Sequence, residues 1–247
     1  MIFIFSIANK RNYLKINLAV KADKLDASFI NLFLVSIQNG NHMKMPYLVK
    51  TPVLLKWFYP GLTWQKSRKE RIIYLTFDDG PIPEVTPFVL ETLAKFQAKA
   101  TFFCIGDNVQ KHPEIFEAVK ASGHAVGNHT FNHLRGWCTA DEIYLENTEK
   151  CNQLVNSKLF RPPYGRAKKS QFAILKNQYE IVMWDVLSGD FDPGLSPQKC
   201  YQNIVDKSSN GSIIVFHDSL KAWPRLEYAL PKAMAYWHKE GYGFKIL

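Results

Sequence analysis

Residues 76–80 read Thr-Phe-Asp-Asp-Gly at the end of an apolar run, and about fifty residues later His129 and His133 stand four apart. Two imidazoles and one carboxylate can seat a divalent cation while leaving positions open for water and substrate. Of the adjacent acids Asp78 and Asp79, one can be the ligand and the other a base that takes a proton from water. In a regular strand their side chains would face opposite ways, so both serve one site only if Gly80-Pro81 ends the strand and bends the backbone. The chemistry that suits this set is metal-assisted hydrolysis. Two histidines and a carboxylate also suit an iron(II) oxygenase, but such a site has no need of the spare acid.

Three further segments carry polar groups at comparable places. Arg161-Pro162-Pro163-Tyr164-Gly165 is stiffened by two prolines, which fix φ and hold the flanking residues in place. Arg161 can there orient a carboxylate, and the Tyr164 N–H can face a developing oxyanion. A buried strand pattern, residues 213–216, runs into His217 and Asp218. Val215 shares a face with His217 by the two-residue period and can line an apolar pocket beside it. Asp218 would face away and is given no role.

Short β-rich runs alternate with stretches of helical length from residue 72 onward, the pattern of a parallel sheet with covering helices. Strands are predicted over 72–77, 100–104, 125–127, 159–161, 181–184, 212–216 and 244–247. Helices are predicted over 85–97, 113–122, 140–155, 170–176, 197–208 and 225–238. Seven strands and six intervening helices predict an α/β fold, an incomplete (β/α)7 barrel distorted from the TIM-barrel pattern. Asp78, His129, Pro162, Asp190 and His217 all follow strand ends, which in such a barrel meet at one mouth. Pro113 is placed in a first helical turn with Gly123 as a left-handed cap. Thr139 with Glu142 has capping-box spacing.

The chain has 247 residues, 47% of them hydrophobic, enough for a substantial core. Its net charge of +9 is uneven: residues 1–70 hold 11 Lys/Arg against 3 Asp/Glu, and the remainder is nearly neutral. No basic stripe interleaved with aromatics marks the remainder, so nucleic acid is not an expected partner. Four cysteines without Cys-x-x-Cys spacing, Cys104, Cys138, Cys151 and Cys200, read as free buried thiols. No apolar stretch reaches the ~18–20 residues that span a bilayer, and residues 1–8 make a poor secretory signal. Compartment is left open between cytoplasm and peripheral envelope association. Residues 1–42 show no sustained period and read as an irregular extension, with translation expected to begin at Met43 or Met45. A domain is expected over 43–247, with a lead-in over 43–70, and it is expected to be monomeric.

Together these strings resemble the polysaccharide deacetylases, the NodB-homology domain of carbohydrate esterase family 4. The likeness covers residues 72–247, with five family motifs in order. It implies that Asp78 is the general base and that Asp79, His129 and His133 hold a divalent metal, zinc above all, with cobalt, nickel or manganese as alternatives. Arg161 would hold Asp78, and the Tyr164 amide would serve the oxyanion, with Pro162 and Pro163 lining the substrate site. Asp190 matches an acid that supports the arginine. Phe191 replaces a tryptophan beside it, leaving an aromatic wall without the indole N–H. His217 would be the general acid, with Val215 in place of the usual leucine in an acetyl pocket. The implied reaction is removal of N-acetyl groups from peptidoglycan- or chitin-type glycans. An O-acetyl esterase on xylan-like glycans and an inactive carbohydrate binder are the rival outcomes.

Overall fold

Alternation along one strand sorts the molecule into an outer and an inner layer. In β1 (Ile72–Asp78) the side chains of Ile73, Leu75 and Phe77 enter the main apolar core. Thr76 and Asp78 point to the other face, where Arg161 bonds both. The neighbouring strands β2 (Thr101–Cys104) and β7 (Ile213–His217) obey the same two-residue period. Phe102, Ile214 and Phe216 join the outer core, while Phe103 and Ile213 pack inside. Phe77 stacks between Phe102 at 5.0 Å and Phe216 at 5.9 Å.

The computed structural model describes residues 47–247, which include a compact unit, Tyr47–Leu247. The expectations for residues 1–42 and for a start at Met43 or Met45 lie outside the described residues. The described strands pair with one another in parallel, in the order β5-β4-β3-β2-β1-β7-β6. The remaining strands are β3 (Ala125–Asn128), β4 (Leu159–Phe160), β5 (Glu180–Ile181) and β6 (Val186–Leu187). A short β8 (Gly243–Phe244) adds to the beginning of β1. This is the expected incomplete barrel, a seven-stranded parallel arc with helices outside.

The described helices are α1 (Val53–Phe58), α2 (Thr86–Lys95), α3 (Gly106–Lys111), α4 (Pro113–Ala121), α5 (Asp141–Val155), α6 (Lys169–Leu175), α7 (Pro197–Lys207) and α8 (Trp223–Lys239). Leu226, Ala229, Leu230, Ala233, Met234 and Trp237 form the buried stripe of α8 at helical spacing. Each large apolar side chain so buried contributes about 1.5–3 kcal/mol. Pro113 opens α4 and Gly123 follows it at φ 76°, as expected.

The open gap between β5 and β6 is sealed by the lead-in. Thr63 bonds Ile181 O and receives Met183 N–H on one side, while Val49 and Thr51 bond Leu187 and Asp185 on the other. Lys50, Lys56 and Arg68 converge on Asp185, at 2.6, 2.5 and 3.1 Å. Burial alone would push the Asp185 carboxyl up; hydrogen bonds from Lys50, Lys56 and Ser212 hold it down to about 2. This clasp lies at the end of the strands opposite the polar groups of Asp78 and His217.

Three expectations need correction. The strand predicted over 181–184 stops at Ile181, and β6 is a separate strand on the far edge. The carbonyls of Val182 and Met183 leave the ladder because they accept hydrogen bonds from Arg161. The predicted capping box does not form. Ala140 is the N-cap of α5, and the Thr139 hydroxyl donates instead to Arg135 O, closing the turn before it. All four cysteines are free, but Cys138 is exposed rather than buried.

Candidate active site

Asp78 and Asp79 share one site because the backbone inverts between them. Asp78 ends β1 in extended conformation, whereas Asp79 sits at φ 85°, the left-handed region that side chains rarely adopt. The inversion is held from three sides. Asn108 Nδ2 donates to Asp79 O at 2.7 Å, Gly80 O receives Ile105 N–H, and Gly80 N–H donates to the buried carboxyl group of Asp218 at 3.0 Å. Asp218 also accepts from the Thr86 hydroxyl at 2.6 Å. A Cβ at Gly80 would lie 2.0 Å from Asp218 Oδ2, so no other residue fits there. Burial, opposed by these hydrogen bonds, pushes the Asp218 carboxyl up to about 8. Asp218 is the residue that sequence reasoning passed over. Its signal was a carboxylate at the end of a buried strand that could not remain without partners.

The two histidines also owe their convergence to left-handed turns rather than to a helix. Asn128 ends β3, bonding Thr148 O with its amide nitrogen and Thr130 N–H with its oxygen. Thr130 and His133 then adopt φ values of 63° and 58°. His129 Nδ1 lies 2.7 Å from Arg161 O, and a carbonyl only accepts, so the proton resides on Nδ1 and the Nε2 lone pair faces the site. Burial and neighbouring His133 lower the His129 pKa to about 3, and burial also lowers that of His133. Both rings are thus neutral, the form that coordinates a metal.

Asp79 Oδ1 is 3.4 Å from His133 Nε2 and 3.8 Å from His129 Nε2. It is buried and has no hydrogen-bond partner. A buried carboxylate oxygen without a partner is costly. One carboxylate and two neutral imidazoles, with donor atoms all within 4.8 Å of one another, fit a divalent cation of the zinc class.

Beside this triad Asp78 is buried and accepts from Arg161 at 2.7 Å. Arg161 is wholly buried and spends three more N–H groups on Thr76 Oγ1, Val182 O and Met183 O, with its guanidinium 4.1 Å from the Phe103 ring. Register places His217 directly beside Asp78 on β7. The expectation that Asp190 supports Arg161 is corrected here. Both Asp190 oxygens bond His217, one at the backbone N–H and one at Nδ1, each at 2.7 Å. Four of the five N–H groups of Arg161 are committed elsewhere, none of them to Asp190, and the chain turning through Gly189 at φ 81° aims Asp190 at β7 instead. Burial acts to lower the His217 pKa, but the charge and hydrogen bond of Asp190, aided by Asp79 and Asp78, raise it to about 9.

The surrounding wall is aromatic. Phe191 meets the His217 ring edge-on at 5.3 Å and is backed by Tyr47 at 5.0 Å. Pro162 and Pro163 are buried, whereas Tyr164, at φ 60°, projects its half-exposed ring onto His133 at 4.6 Å. A Cβ on Gly165 would lie 2.3 Å from the Trp184 ring, which ties this loop to the barrel. Val215 is fully buried two residues before His217.

Residues 65–181 match the family described as polysaccharide deacetylase. The chain is 36% identical over 193 residues to a peptidoglycan-N-acetylglucosamine deacetylase of Bacillus cereus, covering 74% of this chain and 89% of that relative. The chain belongs to the polysaccharide deacetylases. Another relative of this deacetylase is a chitooligosaccharide deacetylase of Azorhizobium caulinodans, 36% identical over 62% of this chain and 76% of the relative. Among solved structures, a peptidoglycan N-acetylglucosamine deacetylase superposes with a TM-score of 0.74 at 30% identity, covering 80% of this chain and 95% of that one.

Proposed function

We propose that this polysaccharide deacetylase is a metal-dependent hydrolase that removes N-acetyl groups from amino-sugar polymers or oligomers of the peptidoglycan or chitin type. The observation that carries this reading is the partnerless, buried Asp79 Oδ1 facing two neutral imidazoles, with a second carboxylate held separately next to it. Asp79, His129 and His133 would hold the cation. When bound, a divalent cation supplies Lewis acidity, which acidifies water and polarises a carbonyl.

Asp78, aimed by Arg161, accepts the proton of the attacking water. The water oxygen bonds to the acetyl carbon, and the Tyr164 N–H serves the oxyanion that develops. His217, protonated and fixed by Asp190, gives its proton to the amine nitrogen as the C–N bond breaks. Acetate and a free amino sugar leave. Phe191, edge-on to the His217 ring, would wall the space beside it, and Val215 lies buried two residues before His217.

The test is acetate release from N-acetylglucosamine oligomers and polymers, before and after chelation and re-addition of zinc. Activity that is lost on chelation and restored by zinc is expected. Full activity in rigorously metal-free protein refutes the reading. Release from O-acetylated xylan alone would reassign the enzyme to ester cleavage.

A further inference from the structure

The mouth of the site continues into a shelf that the reaction chemistry does not use. Tyr164, already stacked on His133, carries Arg135 over its ring at 5.1 Å. Two residues further along each segment the pairing repeats, with Arg166 over the Trp137 ring at 4.9 Å. The rings are 51% and 57% exposed, which is unusual for side chains worth several kcal/mol when buried. Their exposure is not looseness. Trp137 Nε1 donates to Ala167 O at 2.8 Å, and Gly136 packs so tightly that a Cβ there would meet Ala167 and Arg166 backbone at 2.9 Å. Gln171 locks the same turn by donating to Gly136 O and Thr139 O. The shelf is therefore preorganised, as a binding surface should be.

Its charge is one-sided. Arg135 and Arg166 are exposed on the rings and form no ion pair among the described residues. Lys168 and Lys169 follow, against Asp141, which pairs with Lys168. Flat aromatic faces accept the C–H face of a pyranose, and guanidinium groups accept carboxylates in planar, two-point geometry. A neutral glycan would satisfy the rings and leave both arginines without a counter-charge.

We propose that Trp137, Arg166, Arg135 and the Tyr164 ring form a subsite that stacks one sugar ring and binds a carboxylate on it, selecting an acid-bearing N-acetylated glycan over a neutral one. The inference builds on the deacetylase reading, and narrows it from N-acetylated glycans in general to those in which carboxylated sugars neighbour the N-acetyl group removed.

The experiment compares two probes on the full chain loaded with zinc: a tetrasaccharide of alternating N-acetylglucosamine and N-acetylmuramic acid, and the same tetrasaccharide with its lactyl carboxylates converted to amides. The acid form is expected to show at least a tenfold higher kcat/KM, carried by KM, and to lose that advantage in about 0.5 M salt as screening shortens the reach of the charges. The double variant Arg135→Gln/Arg166→Gln is expected to bring the acid-to-amide ratio close to one, whereas Arg166→Lys retains part of it. Trp137→Ala is expected to raise KM for both probes. An equal kcat/KM for the two probes in the unaltered enzyme, or an acid-to-amide ratio that survives the double variant, overturns the subsite. Acetate release from the amide probe separates these outcomes from failure of the deacetylase reading, since in this assay that failure shows as cleavage of neither probe.

Discussion

Asp190 grips His217 twice, at the backbone N–H and at Nδ1, so that one buried carboxylate sets both the position and the proton affinity of the imidazole. The ring is aimed at the mouth with Nε2 outward, while its Nδ1 proton is committed to the acid. Chain direction through β6 and Gly189 brings the two together across 27 residues.

That pairing has a pH signature. The folded pKa of His217 is raised to about 9 from 6.5, so its contribution to stability is complete below about 6.5 and is lost as pH rises through 9. Asp190→Asn is expected to lower Tm relative to the unaltered protein most at pH 6, with the gap shrinking toward pH 10. In the same variant the alkaline limb of kcat/KM is expected to move to lower pH. Parallel Tm curves across that range would break the link.

The roles of the acid pair separate on metal binding. Asp78→Asn keeps the three candidate ligands and is expected to bind zinc with little change while kcat falls about 10²–10⁴-fold, the usual contribution of a general base. His129→Ala is expected to lose both zinc and activity. Zinc titration by calorimetry, run beside an acetate assay, distinguishes them, and full turnover in Asp78→Asn would remove Asp78 from the role of base.

Arg161 is buried with four partners, so its removal leaves Asp78 and two carbonyls uncompensated. Arg161→Met is expected to cost about 3–5 kcal/mol in urea unfolding, the range for breaking a buried ion pair. Adding Asp78→Asn is expected to recover part of that loss, because the residues are directly coupled. Strict additivity of the two would argue that the contact has little energetic weight.

Asp218 is buried; it holds Gly80 N–H and so the turn that presents Asp79. Asp218→Ala is expected to weaken zinc binding about 10–100-fold, as loss of an outer support does. Asp218→Asn, which retains one acceptor, is expected to fall between. Unchanged zinc affinity in Asp218→Ala would make its role purely structural.

Much of this was legible in the chain. Strong β runs ending in Asp78, Asn128 and His217 declare themselves by period and by the polar residue that stops them, and a parallel sheet collects such ends at one mouth. The Arg161 loop was legible because prolines restrict the backbone locally. The break between β5 and β6 was not, since residues 182–184 have ordinary strand propensity and leave the ladder to bond partners distant in sequence, Val182 and Met183 giving their carbonyls to Arg161. Thr139 likewise had the right spacing for a cap but was claimed by the turn at Arg135.

By itself, then, the order of residues determined which side chains could be ligands, base and acid, and that strand ends would gather them, because hydrophobic period and proline stiffness are local properties. Tertiary structure alone decided who partners whom. Asp190 went to His217 rather than Arg161, and Asp218 went to the turn behind Asp79, because a buried carboxyl group takes the donor that packing brings within about 3 Å, whatever the separation along the chain.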